Sequence, residues 1–203
     1  NVLSYEAVVG MEMGKRCDPS NNIWLPFIRN AVGPMDFTPG AMCNVHPEEN
    51  NFDIWTHKNA GASGTRAYQM ALYVVFESGL QMMSDSPTLY YRERSCADFI
   101  ADIPVVWDET RVLEAKLGEY VVVARRSGNK WFIGGITNGD PRTVTVDLDF
   151  LAPNRIFHLT GFSDGMNADR WAMDYVRQET DICSTTVLTL KLARNGGYVG
   201  MIE

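Results

Sequence analysis

Two glutamates near the start of the chain are the residues best placed to do chemistry. A short apolar run ends in Glu6, and Glu12 follows it, beyond Gly10. A strand that ends in a carboxylate, followed by a loop that carries a second one, is how α/β barrels place acids at the mouth of the sheet. The alternative is a pair of solvated glutamates on a surface loop, where most glutamates lie.

The elements that must position these glutamates alternate between strands and helices. Short apolar runs predict the strands, and apolar residues at helical spacing predict the helices. In chain order the predicted elements are strand 2–6, helix 23–32, strand 35–38, helix 65–78, strand 80–83 and helix 90–103. This alternation predicts parallel strands joined by crossover helices.

Acidic residues recur where the predicted parallel strands end, at Glu6, Asp36 and Asp85. The carboxyl ends of parallel strands are where α/β barrels and open sheets have their sites. Alternatively, Asp36 and Asp85 cap the loops or helices that follow them. Three such units do not close a barrel, and the chain starts with Asn rather than Met. We therefore expect further units upstream of this sequence, or a second copy of the chain at an exposed strand edge.

After residue 104 the sequence changes to strands separated by turn residues. The count and spacing of these strands predict an antiparallel sandwich of about 95 residues. The predicted strands are 111–116, 120–126, 131–137, 143–150, 156–160, 171–179, 187–192 and 198–202.

Composition excludes several functional classes. Of 203 residues, 45% are hydrophobic and 21% are charged, which predicts a packed core. The net charge of −7 argues against nucleic acid or an anionic membrane as the partner, and no apolar run reaches the length of a membrane span. The four cysteines have no zinc-site spacing, so we expect free thiols, and a disulfide between Cys17 and Cys43 is left open.

Two groups of aromatic and basic residues are further candidates. The loop 44–64 carries His46, Trp55, His57 and Lys58, which either line a sugar subsite or pack the loop on itself. The tryptophans of the predicted sandwich either form a carbohydrate-binding face or pack in its core; they are Trp131 and Trp171.

Several longer segments match, in order, the motifs of one known family. They are NVLSYEAVVGME at 1–12, LPFIR at 25–29, GPMDFTPG at 33–40, GTRAYQ at 64–69, LQMMSDSP at 80–87, VWDETR at 106–111 and GEYVVVARR at 118–126. Through these segments the chain resembles the C-terminal third of glycoside hydrolase family 97, whose members are calcium-dependent α-glucosidases and α-galactosidases. The resemblance covers nearly the whole chain.

The resemblance implies a fold class of α/β plus all-β. Residues 1–104 would be the last βα units of a (β/α)₈ TIM barrel, and residues 105–203 a C-terminal antiparallel β-sandwich. It also implies a periplasmic or secreted protein with an oligosaccharide substrate.

The resemblance also assigns roles to the two glutamates. Glu6 falls on a calcium ligand, and Glu12 falls on the general acid, which also approaches the Ca²⁺. Glycoside cleavage needs a protonated carboxyl for the leaving oxygen and a second carboxylate, and calcium takes oxygen ligands. The family has basic residues where this chain has Tyr5 and Val9.

The function expected from the resemblance is that of a C-terminal fragment of a glycoside hydrolase. The parent enzyme would cleave terminal α-linked glucosyl or galactosyl residues. The base or nucleophile and the other calcium ligands would lie upstream, so the fragment alone is expected to be inactive, and inverting and retaining mechanisms stay open. The alternative is a non-catalytic carbohydrate-binding or structural β-sandwich module.

Overall fold

The structure is a computed structural model, and it describes residues 8–40, 42–49 and 61–203. The predicted strand 2–6 with Glu6 lies outside these residues, as do Trp55, His57 and Lys58. No helix in the described ranges is long and apolar enough to cross a membrane.

The first half of the described chain is built from short helices and very short parallel strands. Its elements are α1 Pro19–Asn22, α2 Leu25–Ile28, β1 Asn44–Val45, β2 Ala62–Ser63, α3 Arg66–Val75, α4 Pro87–Arg92 and α5 Arg94–Ala101. Strands β1 and β2 pair in parallel, and Phe37 forms a single parallel bridge with Gln81. The predicted strands 35–38 and 80–83 are thus parallel to each other but are reduced to this bridge.

The predicted helix 23–32 is shorter and broken. Pro26 lacks an N–H and is tolerated only in a first turn, so α2 begins at Leu25. A 3₁₀ turn, Asn30–Val32, follows, and Gly33 ends it with a φ of 129°. The predicted helix 90–103 begins earlier, at Pro87, and is interrupted at Glu93.

Helix α3 is the central helix and is buried along its whole length. Its N-cap is Thr65, whose side chain accepts a hydrogen bond from the N–H of Tyr68, so the helix begins one residue later than predicted. The extended backbone of Phe76, with a ψ of 136°, ends the helix before Gly79.

The second half is an antiparallel sandwich with all eight predicted strands. They are β3 Glu109–Lys116, β4 Tyr120–Ser127, β5 Lys130–Thr137, β6 Arg142–Asp147, β7 Phe157–Asp164, β8 Tyr175–Ile182, β9 Val187–Leu192 and β10 Gly197–Ile202. Six strands form one sheet in the order β3-β4-β5-β10-β7-β8, and β6 pairs with β9 in a second sheet.

The six-stranded sheet is covered on both faces. The β6–β9 pair packs on one face, and α3 packs on the other within a core that contains residues from both halves of the chain. Two glycines allow this close approach, because a Cβ on Gly134 would lie 2.8 Å from the Cβ of Val74, and one on Gly197 would lie 2.6 Å from the Cα of Tyr68. The boundary at residue 104 stays a prediction.

Candidate active site

Glu12 lies at the second position of the 3₁₀ turn Met11–Arg16, and its side chain is exposed. Gly10, two residues earlier, is buried. The Glu12 carboxylate folds back over Gly10 and occupies the place where a Cβ on that residue would stand. The carboxylate therefore lies against the main chain while it stays open to solvent.

Met11 anchors the main chain next to Glu12. Its side chain is only 3% exposed, and its N–H donates a hydrogen bond to the carbonyl oxygen of Thr38 at 2.9 Å. The Met11 sulfur lies 3.2 Å from the side-chain nitrogen of Gln69. These contacts fix the start of the turn to the segment around Phe37 and to helix α3.

Gln69 is a buried amide that joins three segments. It lies on α3 with no exposed surface. Its side-chain oxygen accepts from the N–H of Gly40 at 3.2 Å, and its nitrogen donates to the carbonyl oxygen of Ser63 at 2.8 Å. Together with the contact to Met11, these bonds hold together the segments that surround Glu12.

A buried thiol fixes the chain on the other side of Gly10. The Cys17 S–H donates to the carbonyl oxygen of Val9 at 3.1 Å, and the Asn22 amide nitrogen lies 3.3 Å from the Cys17 sulfur. Burial raises the pKa of Cys17 to about 12, so the thiol keeps the proton that it donates. Cys17 and Cys43 are both free, and no disulfide joins them.

The two downstream strand-end acids lie at the parallel bridge and just before α4. Asp85 accepts hydrogen bonds from the N–H groups of Met42 and Cys43, both at 2.8 Å, and from that of Ser86 at 2.9 Å. It therefore holds the segment 42–43 against the residue that precedes α4. Asp36 is half-buried, one residue before the bridge at Phe37.

His46 has a packing role. It has no exposed surface, and its Nε2 atom lies 2.8 Å from the carbonyl oxygen of Ala168 in the sandwich. Glu48, two residues later, forms an ion pair with Arg194. These contacts attach the loop that precedes α3 to the sandwich.

The two sandwich tryptophans differ in exposure. Trp131 is 7% exposed and packs in the core, as expected for core packing. Trp171 is 58% exposed, in the segment between β7 and β8, so a core role for Trp171 is wrong.

Arg66 is a buried charged residue that no motif or spacing in the sequence singled out. Its guanidinium donates to the carbonyl oxygen of Met42 at 2.6 Å and to the side-chain oxygen of Asn44 at 3.2 Å. It also forms an ion pair with Glu93 at 2.7 Å. Arg66 therefore connects α3 to β1 and to the start of α5.

Asp164 is the second residue that sequence reasoning missed. Its carboxylate accepts from the Thr65 hydroxyl at 2.5 Å and from the N–H groups of Ala193 and Gly197 at 2.8 and 3.0 Å. Burial raises its pKa to about 7, against the opposing effect of these hydrogen bonds. The one signal in the sequence is the Asp-Gly pair with Gly165, which is typical of a turn.

Within residues 8–40, 42–49 and 61–203, no three His, Cys, Asp or Glu residues converge to hold a metal ion. Calcium takes about six to eight oxygen ligands, and the exposed Glu12 carboxylate offers oxygens of the right type. A calcium ion bound by Glu12 would therefore need ligands from beyond these ranges, and the predicted ligand Glu6 lies outside them.

Sequence comparisons connect the whole chain to known glycosidases. Residues 106–203 match the family described as "Glycosyl-hydrolase 97 C-terminal, oligomerisation". A retaining alpha-galactosidase of Bacteroides thetaiotaomicron is 43% identical over 208 aligned residues, which cover 100% of this chain and 31% of the relative. A probable retaining alpha-galactosidase of Streptomyces bingchenggensis is 36% identical over 73% of this chain and 21% of the relative.

Solved structures give the same result at the level of the fold. A Glycoside Hydrolase Family 97 enzyme from Pseudoalteromonas sp. strain K8, in complex with panose, superposes with a TM-score of 0.79 and 31% identity. The match covers 92% of this chain and 28% of that one. A beta-arabinopyranosidase, with a TM-score of 0.73 and 22% identity, shares the fold. The chain thus spans less than a third of the length of these relatives.

Proposed function

The chain belongs to glycoside hydrolase family 97, and we propose that it forms the C-terminal part of a retaining α-galactosidase. The observation that carries this proposal is the 43% identity to a retaining alpha-galactosidase along the whole of the chain. The panose-bound and acarbose-bound relatives are less similar, at 31% identity, which favours galactosides over glucosides as the substrate.

Residues 1–104 are, in this proposal, the last βα units of a (β/α)₈ barrel, and residues 105–203 are the sandwich that follows it. The parallel pairing of β1 with β2 and of Phe37 with Gln81 supports the barrel. The remainder of the barrel would come from the rest of the parent chain. The family resemblance implies a periplasmic or secreted parent protein, and this localisation is part of the proposal.

Glu12 is the proposed general acid. Its carboxyl group is exposed, while the main chain on both sides of Gly10 is anchored by Met11 and Cys17. An acid that protonates the glycosidic oxygen must be reachable by substrate and held in a fixed position. In a retaining enzyme the same group then accepts a proton from the water that releases the sugar.

Calcium is the proposed cofactor, held by Glu6 and Glu12 together with carboxylates from the rest of the parent. When it is bound, the cation supplies positive charge close to the sugar. The nucleophile would also come from the rest of the parent, which is why the 203-residue chain alone is expected to be inactive.

The test is Glu12→Gln in the full-length protein that contains this chain. We expect turnover of an unactivated α-galactosyl disaccharide to fall by about two orders of magnitude or more, since general acid catalysis contributes that much. The matched control is Glu114→Gln, which changes an exposed glutamate on β3 and is expected to leave turnover unchanged. An unchanged rate in Glu12→Gln would refute the assignment.

A further inference from the structure

We propose that Gly10 is a positioning residue for Glu12, because a bare main chain at residue 10 is what allows the Glu12 carboxylate to rest there. The inference builds on the proposed role of Glu12 as the general acid. The backbone conformation at residue 10 does not itself require a glycine, so the inference gives a separate reason for a glycine at this position.

The steric observation is direct. A Cβ on residue 10 would stand 2.9 Å from the Glu12 Cδ atom and 3.0 Å from Oε1, and closer still to Oε2. The φ angle of Gly10 lies outside the left-handed region that favours glycine, so the backbone itself would accept alanine. Among the described residues, the three heavy atoms nearest to such a Cβ all belong to the Glu12 carboxylate.

The surrounding main chain cannot move aside easily to relieve this clash. Val9 is held through its carbonyl oxygen by Cys17 at 3.1 Å, and Met11 is held through its N–H by Thr38 at 2.9 Å. The Met11 side chain is also buried. A new methyl group at Gly10 would therefore displace the Glu12 carboxylate, which is the exposed end of a flexible side chain.

This predicts a specific separation of effects. The displaced group is the end of a flexible, exposed side chain, so Gly10→Ala should alter stability little. The proton donor would nevertheless move by about 1 Å, and a misplacement of that size can cost about 100-fold in rate. The loss should appear in kcat rather than in KM, because Glu12 acts on the leaving oxygen.

The experiment compares three variants of the full-length protein: Gly10→Ala, Glu12→Gln and the matched control Gly79→Ala. Gly79 is exposed, and a Cβ there would meet nothing within 4 Å. Each variant is assayed on an unactivated α-galactosyl disaccharide and on 4-nitrophenyl α-galactoside. Nitrophenolate is a good leaving group and depends less on protonation.

We expect kcat for Gly10→Ala to fall about 100-fold on the disaccharide and less than about 10-fold on the nitrophenyl substrate. Glu12→Gln should also lose more kcat on the disaccharide than on the nitrophenyl substrate, and Gly79→Ala should behave as wild type with both substrates. A general folding defect would instead lower both rates equally.

Two outcomes overturn the inference and leave the proposed function standing. In both outcomes, Glu12→Gln loses much more kcat on the disaccharide than on the nitrophenyl substrate. Gly10→Ala, in contrast, either behaves like Gly79→Ala or loses activity on both substrates to the same extent. If Glu12→Gln loses kcat equally on the two substrates, the proposed role of Glu12 fails, and the role of Gly10 fails with it.

Discussion

Glu12 and Asp164 are carboxylates of the two halves of the molecule, and their surroundings are opposite. Asp164, at the end of β7, is half-buried and accepts hydrogen bonds from Thr65, Ala193 and Gly197. Glu12 is exposed and rests against Gly10. A half-buried acid with its donors in place holds the sandwich onto the N-terminus of α3, whereas an exposed acid on an anchored turn is available to a substrate.

The difference shows how one chain can separate stability from chemistry. Asp164 should matter for the free energy of unfolding, because removing it leaves buried donors without an acceptor. Glu12 should matter for turnover in the parent enzyme and little for folding, because exposed side chains rarely change stability by more than about 0.5 kcal/mol. Three predictions test this contrast through Asp164 and its partner Thr65.

The largest expected effect is that of Asp164→Ala. The substitution leaves the Thr65 hydroxyl and two backbone N–H groups without their acceptor. At about 1–3 kcal/mol for each unsatisfied buried group, we expect a loss of about 4 kcal/mol, measured by urea unfolding. Glu12→Ala is the matched control. Equal losses in the free energy of unfolding for Asp164→Ala and Glu12→Ala would contradict the separation of roles between the two carboxylates.

A smaller effect should appear in the pH dependence of stability. The pKa of Asp164 is about 7 in the folded chain and about 3.9 when unfolded, so its contribution is fully present below pH 4 and is lost as pH rises through 7. Between pH 5 and pH 8 this corresponds to about 3 kcal/mol.

Asp164→Asn removes this titration but keeps the shape of the side chain. The stability difference between wild type and Asp164→Asn should therefore change by about 3 kcal/mol between pH 5 and pH 8, in favour of the variant at the higher pH. Unfolding curves at several pH values measure this difference. Parallel curves for the two proteins would contradict a raised pKa at Asp164.

The smallest effect is expected at Thr65, which caps α3 and also donates to Asp164. Thr65→Ala should cost about 2 kcal/mol, because both the N-cap and the hydroxyl donor are lost. Thr65→Ser keeps the hydroxyl and should cost less than half as much, as thermal unfolding would show. Equal destabilisation by both would mean that the methyl group, and not the hydroxyl, holds the junction.

The sandwich was predictable because its information is local. Alternating apolar residues and intervening turns predicted all eight strands, with ends displaced by at most four residues and with β9 at Val187–Leu192 unchanged. Antiparallel neighbours along the chain, such as β4 and β5, are joined by short turns, so local sequence specifies both strands and their pairing.

The parallel segments were predicted less well because their partners are distant in sequence. Phe37 pairs with Gln81 across 44 residues, and no local pattern fixes how far such pairing extends. The polar residues Gln69 and Asp164 were missed for a similar reason, because only the tertiary structure shows that their partners are present. Glu12 was singled out by its place after a predicted strand, and its role, implied by the resemblance, stays a prediction. The contact between Glu12 and Gly10 became visible only in the structure.

The most direct test of the central claim is the dependence of rate on leaving-group basicity for Glu12→Gln in the full-length protein. A series of aryl α-galactosides with leaving groups of graded pKa would be compared between wild type and the variant. If Glu12 donates the proton, the rate of the variant should fall by about two orders of magnitude with the most basic leaving group and little with the least basic. A plot of the logarithm of the rate against leaving-group pKa should therefore be steeper for the variant than for wild type. Parallel plots for the two enzymes would contradict the assignment of Glu12 as the general acid.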